Sequence, residues 1–363
     1  MLRIAIILAV SAITIAGAAR AMDSSQGKLT VNPILTGLDE PWSFGFLPDG
    51  SLVVTERGGR LIFAGSKGTW AVDGLPRVQT QGQGGLLDIL VPRDFAQTRE
   101  LLFTYAKRVN GQTVTALETA QLSADARRLE SSRTLFEMVS PSSGGRHFGS
   151  RLIEAGDGRI FMTIGDRGDM DQAQNTQNHN GTVVRLNRDG SVPNDNPFVG
   201  ANTAQPEIWS YGHRNPQGAA LDLQGNLWVN EHGAMGGDEI NAVKPGKNYG
   251  WPVIAYGRHY SGAKIGEGNS KPGLEQPSFY WDPSIAPSGM LVYSGKLWPA
   301  WRGDFFIGSL KFDYLGRVDP GQGWSEERLE GAHTGRVRDV REAPDGTIWF
   351  LSVNDGALYR ISK

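Results

Sequence analysis

A short unit that recurs along the chain constrains the fold more than any other feature. Each copy is a glycine-containing turn followed by a strand-like run of β-branched and aromatic residues. An Asp-Gly turn between apolar runs is the strongest short-range signal for a β-hairpin, because both turn positions tolerate positive φ. Four copies are clear, with turns PDG, GDG, QGN and PDG at residues 48–50, 156–158, 224–226 and 344–346. Weaker copies lie around residues 101–105 and 305–308.

The repetition predicts an all-β fold. No helical period of 3.6 residues is sustained after residue 21, and turn-punctuated strands in a long array are typical of a β-propeller. The copies are unevenly spaced, so periodicity alone allows five, six or seven blades. A two-domain β-sandwich is the alternative architecture. Because no Pro/Ser-rich linker divides the chain, we expect a single domain over residues 22–363.

Composition narrows the class of protein. Of 363 residues, 48 are glycine and 19 proline, yet 39% are hydrophobic, which is enough for a core and argues against disorder. Cysteine is absent, which excludes disulfides, thiolate nucleophiles, cysteine-bound zinc and iron–sulfur clusters. The 36 Lys and Arg residues are balanced by 38 Asp and Glu, so no basic excess indicates a nucleic-acid partner.

The first 21 residues have the pattern of a secretory signal peptide. Arg3 precedes an apolar run over residues 4–19, and the segment ends in Ala19-Arg20-Ala21. A transmembrane anchor is the alternative, but the short run and its small-residue exit favour cleavage after Ala21. No later stretch approaches the roughly 20 apolar residues that a span requires. We therefore expect a periplasmic or secreted protein without a membrane span in its mature chain.

Polar residues concentrate in the loops between the predicted strands. His147, in GGRHFGSR, is flanked by glycines and is a candidate general base, with a structural histidine as the alternative. The acidic segment NEHGAMGGDEIN at residues 230–241 combines carboxylates with glycine carbonyls, a donor set that suits calcium. A solvated acidic turn is its alternative. DRGDMD at residues 166–171 lacks EF-hand spacing and is predicted to be a polar interblade loop.

A cationic group lies late in the sequence. Arg336 and Arg338 alternate in the predicted strand RVRDV and would face the same side, with Lys311 upstream. Two arginines that point together need anions, which a ligand with several carboxylates would supply. A surface strand edge is the other interpretation.

Taken together, these segments resemble a known family. The motifs GRHFGSR, EIWSYGHRNPQG, NEHGAMGGDEIN, KNYGWP, YWDPSIAPSG and RVRDV occur in the order found in the soluble quinoprotein glucose/sorbosone dehydrogenases. The similarity is greatest to bacterial periplasmic aldose sugar dehydrogenases that use pyrroloquinoline quinone (PQQ), and it runs from about residue 37 to residue 361. It implies a six-bladed propeller carrying PQQ and Ca²⁺ at one end.

The resemblance also implies roles for individual residues. His147 matches the family's catalytic base, which takes a proton while C1 of an aldose passes hydride to the quinone, giving a lactone. Gly233 and Ala234 match carbonyl ligands of the PQQ calcium, Glu239 and Tyr249 match a second calcium site, and Trp281 matches an aromatic residue of the substrate cleft. The positions that match cofactor-holding residues are Gln83, Arg214, Asn215, Tyr260, Lys311, Arg336 and Arg338.

Two positions depart from the family pattern, and two other functions stay open. Ala234 stands where proline is common, and Arg146 where some relatives carry aspartate. A calcium-dependent lactonase or other hydrolase would use the same acidic loop and histidine, and a non-catalytic propeller would bind a glycan or a protein. No C-x-x-C-H haem motif is present, so electrons would leave to an external acceptor. The preferred sugar, the number of calcium sites and the choice between monomer and homodimer are left open.

Overall fold

The computed structural model describes residues 20–140, 142 and 144–363. Most of the predicted signal peptide, residues 1–19, lies outside the described residues. Its last two positions, Arg20 and Ala21, begin the first strand, β1 (Arg20–Ser24), which pairs with β2 (Gly27–Leu35).

Five four-stranded antiparallel sheets follow in chain order. The first is β3 (Pro41–Phe46), β4 (Leu52–Glu56), β5 (Arg60–Gly65) and β6 (Gly68–Val72). The second is β7 (Leu86–Leu90), β8 (Glu100–Val109), β9 (Gln112–Leu122) and β10 (Leu129–Glu137). The third is β11 (Leu152–Glu154), β12 (Ile160–Ile164), β13 (Thr182–Leu186) and β14 (Ile208–Tyr211). The fourth is β15 (Pro216–Leu221), β16 (Leu227–Glu231), β17 (Asp238–Ala242) and β18 (Phe279–Trp281). The fifth is β19 (Pro287–Val292), β20 (Phe305–Ser309), β21 (Leu315–Asp319) and β22 (Ser325–Leu329).

The sixth sheet joins the two ends of the described chain. Its strands β23 (Val337–Glu342), β24 (Ile348–Ser352) and β25 (Ala357–Ser362) continue into β2 and β1, because β2 pairs antiparallel with β25. The ring is thus closed by hydrogen bonds between distant parts of the sequence, with Thr30 opposite Ser362. The predicted all-β propeller is confirmed, and it has six blades.

In residues 20–140, 142 and 144–363, helical structure is confined to short connections. They are the single-turn helix α1 (Phe95–Thr98) and the 3₁₀ turns Met170–Gln174, Pro299–Trp301 and Pro320–Gln322. Within the described part of the chain, no helix is long and apolar enough to cross a membrane.

The four glycine turns found in the sequence occupy equivalent places in the fold. Each connects the first and second strands of its blade, in blades one, three, four and six. Gly50 and Gly346, with φ of 84° and 85°, take the left-handed conformation that these turns require. The repeat therefore marks one end of the propeller, and the loops at the other end are free to differ.

Among the described residues, each pair of neighbouring blades shares a cluster of buried hydrophobic side chains. Phe44 of blade one packs with Leu351 of blade six, and Phe306 of blade five packs with Val340 of blade six. The other shared clusters join blades one and two, two and three, three and four, and four and five in the same way. This burial of apolar surface holds the blades in a rigid ring.

The first strand of each blade contacts that of the next, so these six strands surround the axis. Charged side chains from these strands pair near the axis. Arg151 pairs with Asp88 (3.1 Å) and Asp339 (3.0 Å), and Arg341 pairs with the same two carboxylates at 2.8 Å and 3.1 Å. Ser43 donates to Asp88 at 2.6 Å. We call these five residues the axial network.

Candidate active site

A cavity of about 870 Å³ opens at the end of the propeller opposite the glycine turns. Its walls come from loops that link successive blades, from loops between the second and third strands of blades, and, at Tyr260, from the loop between the third and fourth strands of blade four. Eight of the residues singled out in the sequence line it: Gln83, Asn215, Gly233, Ala234, Tyr260, Lys311, Arg336 and Arg338.

His147 lies beside this cavity in the loop between β10 and β11. Its backbone has a φ of 50°, and its N–H donates to Oε1 of Gln83 at 2.7 Å. Ring atom Nδ1 lies 2.6 Å from Oδ1 of Asp166, which also accepts the N–H of Gly168 at 2.7 Å. With Nδ1–H donated to a carboxylate, the lone pair of a neutral imidazole is on Nε2.

The surroundings of this pair favour a neutral histidine beside an ionised aspartate. Burial lowers the pKa of His147 below 6.5; Asp166 opposes that shift, while Arg214 and Arg146 add to it. Burial alone would raise the pKa of Asp166, but the hydrogen bonds from His147 and Gly168 bring it below its usual value. The arrangement is that of a general base oriented by a carboxylate.

Asp166 is a candidate site residue that was not singled out from the sequence. The segment DRGDMD was assigned to a polar interblade loop, whereas the structure places Asp166 within blade three, directly after β12. A signal was present, since this carboxylate follows the buried run FMTI, and Asp166 itself is only 1% exposed. A buried aspartate at a strand end needs a partner.

Three cations in the cavity have no acidic partner. Within the described residues, Lys311, Arg336 and Arg338 form no ion pair with a carboxylate. Arg338 Nη1 donates to Gln217 Oε1 at 3.2 Å, and Arg336 Nη1 donates to the Leu310 carbonyl at 3.0 Å. Burial, with Arg336 and Arg151 nearby, lowers the pKa of Arg338 to about 9. The positive charge of Arg338 is therefore destabilised in this part of the cavity, and a bound anion would stabilise it.

Arg336 and Arg338 do not lie on one strand, contrary to the prediction from the sequence. Arg336 precedes β23 and has a left-handed φ of 50°, so it does not alternate with Arg338 along a strand. Both residues nevertheless line the cavity, Arg338 from strand β23 and Arg336 from the loop that precedes it.

Arg214 binds the loop predicted to ligate calcium. Its Nη1 donates to the carbonyl of Gly233 at 2.5 Å and to that of His232 at 3.3 Å. The N–H of Gly233 donates to Oδ1 of Asp238 at 2.7 Å, which fixes the peptide from its other side. The Gly233 carbonyl thus faces a positive group, and Ala234 lines the same cavity.

Glu239 and Tyr249 lie together at a second, much smaller space of about 20 Å³, which Glu231 also lines. Glu231 and Glu239 are directly opposite in the β16–β17 pair. Burial and the Glu231 charge raise the pKa of Glu239 to about 8. The Tyr249 hydroxyl donates to the carbonyl of Ala242 at 2.5 Å. Among the described residues, no group of three or more His, Asp or Glu side chains is arranged to hold a metal, so a cation would need backbone carbonyls.

Trp281 is not at the cavity. It ends β18, is 5% exposed, and donates its indole N–H to Glu326 at 2.9 Å in the core between blades four and five. Tyr260, 75% exposed, is an aromatic residue that does line the cavity. His232, which the sequence analysis did not single out, also lines it and donates Nε2–H to the Pro287 carbonyl at 2.7 Å; burial lowers its pKa to about 3.

Comparison with known proteins places these features in a family. Residues 38–360 match the family described as Glucose / Sorbosone dehydrogenase. The Aldose sugar dehydrogenase YliI of Escherichia coli is 41% identical over 352 residues, covering 94% of this chain and 95% of that protein. A crystal structure of a glucose dehydrogenase superposes with a TM-score of 0.89 at 42% identity, covering 92% of this chain and 99% of the other.

One structural relative was solved with cofactor. The PQQ-bound form of an aldose sugar dehydrogenase from Streptomyces coelicolor has a TM-score of 0.75 and 25% identity, over 92% of this chain and 98% of that one. The profile match covers most of the chain, and the identity to the Escherichia coli protein extends over nearly its full length. The chain belongs to the glucose/sorbosone dehydrogenase family.

Proposed function

We propose that this protein is a PQQ- and calcium-dependent dehydrogenase that oxidises aldose sugars at C1 to lactones. One observation carries the proposal: a histidine oriented by a carboxylate lies beside a cavity in which Lys311, Arg336 and Arg338 lack acidic partners among the described residues. A histidine base alone would serve several reactions, and cations alone would serve any anion. Their combination suits hydride transfer from a sugar to an acidic redox cofactor.

The cavity fits the proposed cofactor in charge and size. PQQ is planar and carries three carboxylates, and Lys311, Arg336 and Arg338 are three cations that need such partners. Gln83, Asn215 and Tyr260 line the same space and would add hydrogen bonds or ring contacts. A volume of about 870 Å³ lies at the upper end of the range for small-molecule sites, which leaves room for a sugar beside the cofactor.

The carbonyls of Gly233 and Ala234 are the proposed calcium ligands in the cavity, since hard cations prefer oxygen donors. A calcium ion at Gly233 would have to share this carbonyl with Arg214, which donates to it in the structure. Glu239 and Tyr249 are proposed for a second calcium. The raised pKa of Glu239 supports that site, since a divalent cation would stabilise two buried carboxylates that otherwise repel each other.

When bound, PQQ supplies an ortho-quinone that accepts hydride, and calcium supplies Lewis-acid polarisation of that acceptor. His147 would accept the proton of the anomeric hydroxyl at Nε2. Asp166 holds Nδ1–H and would stabilise the imidazolium that forms. Gln83 fixes the His147 backbone, so that the ring begins from a defined position.

The cellular setting is part of the proposal. The signal-peptide pattern indicates export with cleavage after Ala21, which would leave residues 22–363 as a single-domain enzyme. Electrons from the reduced cofactor would pass to an external acceptor.

Oxidation of glucose by the purified protein with a dye acceptor tests the function. We expect activity only when PQQ and Ca²⁺ are both added, and its loss in His147→Asn. PQQ binding should be measured directly by fluorescence titration, with and without Ca²⁺. Absence of binding, with no oxidation across a panel of aldoses, would contradict the proposal. Hydrolysis of lactones that survives replacement of Lys311, Arg336 and Arg338 would identify the hydrolase alternative instead.

A further inference from the structure

The indole of Trp251 contacts three parts of the proposed active site. Its Nε1–H donates to Oδ2 of Asp166 at 2.8 Å. The guanidinium of Arg214 lies over its ring, 5.3 Å from the centroid. The ring belongs to a small buried cluster with Ala173 and Ala234, and Trp251 is only 9% exposed.

The backbone of Trp251 is itself held on both sides. Its N–H donates to the carbonyl of Gly212 at 2.8 Å, and its carbonyl accepts a hydrogen bond from the Gln174 side chain at 2.7 Å. Gln174 also exchanges hydrogen bonds with Asn248, which lies three residues before Trp251. The indole is therefore presented to Asp166 from a fixed segment.

We propose that Trp251 is a positioning residue for catalysis: its indole N–H fixes the Asp166 carboxylate, so that the other carboxylate oxygen holds Nδ1 of His147. Asp166 receives the indole on Oδ2, and His147 and Gly168 on Oδ1. With both oxygens engaged, rotation of the carboxylate would break at least one charge-assisted hydrogen bond. The role of this contact in catalysis rests on the proposed function. The contact itself, and its effect on the pKa of His147, are independent of that function.

Loss of the indole donor has an expected sign. A hydrogen bond to a carboxylate stabilises its charged form, so removing it leaves Asp166 more basic and strengthens its attraction for the His147 proton. The pKa of His147 should therefore rise. The other charged or titratable groups that face the pair, all unchanged by the substitution, are Arg146, Arg167, Arg214 and His232.

Trp251→Phe is the direct test, because it keeps an aromatic ring and removes only the N–H and part of the ring area. In the cofactor-free protein, we expect the NMR titration of His147 to move up by roughly half a pH unit. In the loaded enzyme, the acidic limb of kcat/KM should move with it, and kcat should fall about tenfold with little change in KM.

Trp228→Phe is the matched control. It also removes an indole–carboxylate hydrogen bond, from Nε1 to Oδ2 of Asp222 at 3.0 Å, next to the turn between the first two strands of blade four. It should leave the His147 titration and the pH profile unchanged. In an Asp166→Asn background, Trp251→Phe should have no further effect on His147, because the shared partner is gone.

An unchanged His147 titration in folded Trp251→Phe overturns the inference. If the titration moves but neither variant nor native protein oxidises any sugar, the positioning role stands and the proposed function fails. If Trp251→Phe does not fold, the NMR signals of the indole N–H groups in the native protein provide the test. The chemical shift of one indole N–H should change with pH together with the His147 titration. In Asp166→Asn, this dependence should be absent. If none follows it, the inference is wrong.

Discussion

Two groups of basic residues near the propeller axis differ in one respect. In the axial network, Arg151 and Arg341 each pair with Asp88 and Asp339. In the cavity at the end of the same axis, Arg338 has only the Gln217 amide oxygen as a hydrogen-bond partner among the described residues. Arg338 and Arg341 both lie on β23 and are half-buried, so burial does not distinguish these two arginines. The paired charges join first strands of three blades, and the unpaired ones are those that we propose bind the carboxylates of PQQ.

The largest effect is expected in the axial network. Asp88→Asn would leave Arg151 and Arg341 with half of their carboxylates, and breaking a buried ion network costs about 3–5 kcal/mol. Urea unfolding of the cofactor-free protein measures this loss. Glu130→Gln is the control, because it removes an exposed pair with Arg128 and should cost less than about 1 kcal/mol. Equal losses in the two variants would remove the distinction between network and surface pairs.

Arg338→Met should have the opposite effect to Asp88→Asn, weakening PQQ binding without destabilising the fold. We expect PQQ affinity to fall about 100-fold, since a partly buried charge-assisted contact is lost, equivalent to about 2.7 kcal/mol. The free energy of unfolding without cofactor should stay the same or rise, because an uncompensated charge leaves the interior. Fluorescence titration with PQQ and urea unfolding give the two numbers. A large loss of stability with unchanged affinity would assign Arg338 to the network instead.

Acidification should affect the cavity through His147. Because burial lowers its pKa below 6.5, kcat/KM should stay level from pH 8 past 6.5, then fall about tenfold per unit below the pKa of the folded state. Stability changes with the same sign: below pH 6.5 the unfolded chain binds a proton that folded His147 does not, so stability declines until the folded pKa is reached. A pH–rate profile at saturating Ca²⁺, beside urea unfolding at each pH, checks both. A rate that falls from pH 8 downward would contradict the lowered pKa.

The smallest effect is expected at Lys311, which is exposed at the cavity. Lys311→Met should weaken PQQ binding about fivefold at low salt, and the difference should shrink at 0.5 M salt because exposed charges are screened. Titrations of both proteins at two ionic strengths measure it. If Lys311→Met lost as much PQQ affinity as Arg338→Met, and salt did not change that loss, the exposure of a cation would not determine how strongly it contributes to binding.

The sequence revealed the hairpins of the fold more readily than its closure. Turns such as PDG at residues 48–50 depend on neighbouring residues only, so a short stretch of sequence is enough to predict them. The pairing of β2 with β25 depends on residues at opposite ends of the chain, and no local pattern encodes it. The blade number came from family resemblance, because loops of unequal length obscure the period.

The site shows the same division. His147 and the cavity arginines could be proposed as site residues because glycine-flanked or clustered polar residues stand out within one segment. Asp166 was missed because its partner lies 2.6 Å away in space but in another loop. Trp281 was expected at the substrate cleft but lies in the core between blades four and five. The sequence does not indicate which of the two its side chain faces, because that depends on the course of the backbone around the end of β18.

The closure of the ring also sets an order of assembly. Arg336 and Arg338 lie at the entrance to the blade that contains the last strand, β25, and that blade is complete only when β25 meets β2. A contact between residues so far apart forms late, because the chain loses much loop entropy in making it. A chain in which β25 has not yet paired with β2 would not hold the two arginines in their final places. Competence to bind a polyanionic ligand would therefore report that the ring has closed.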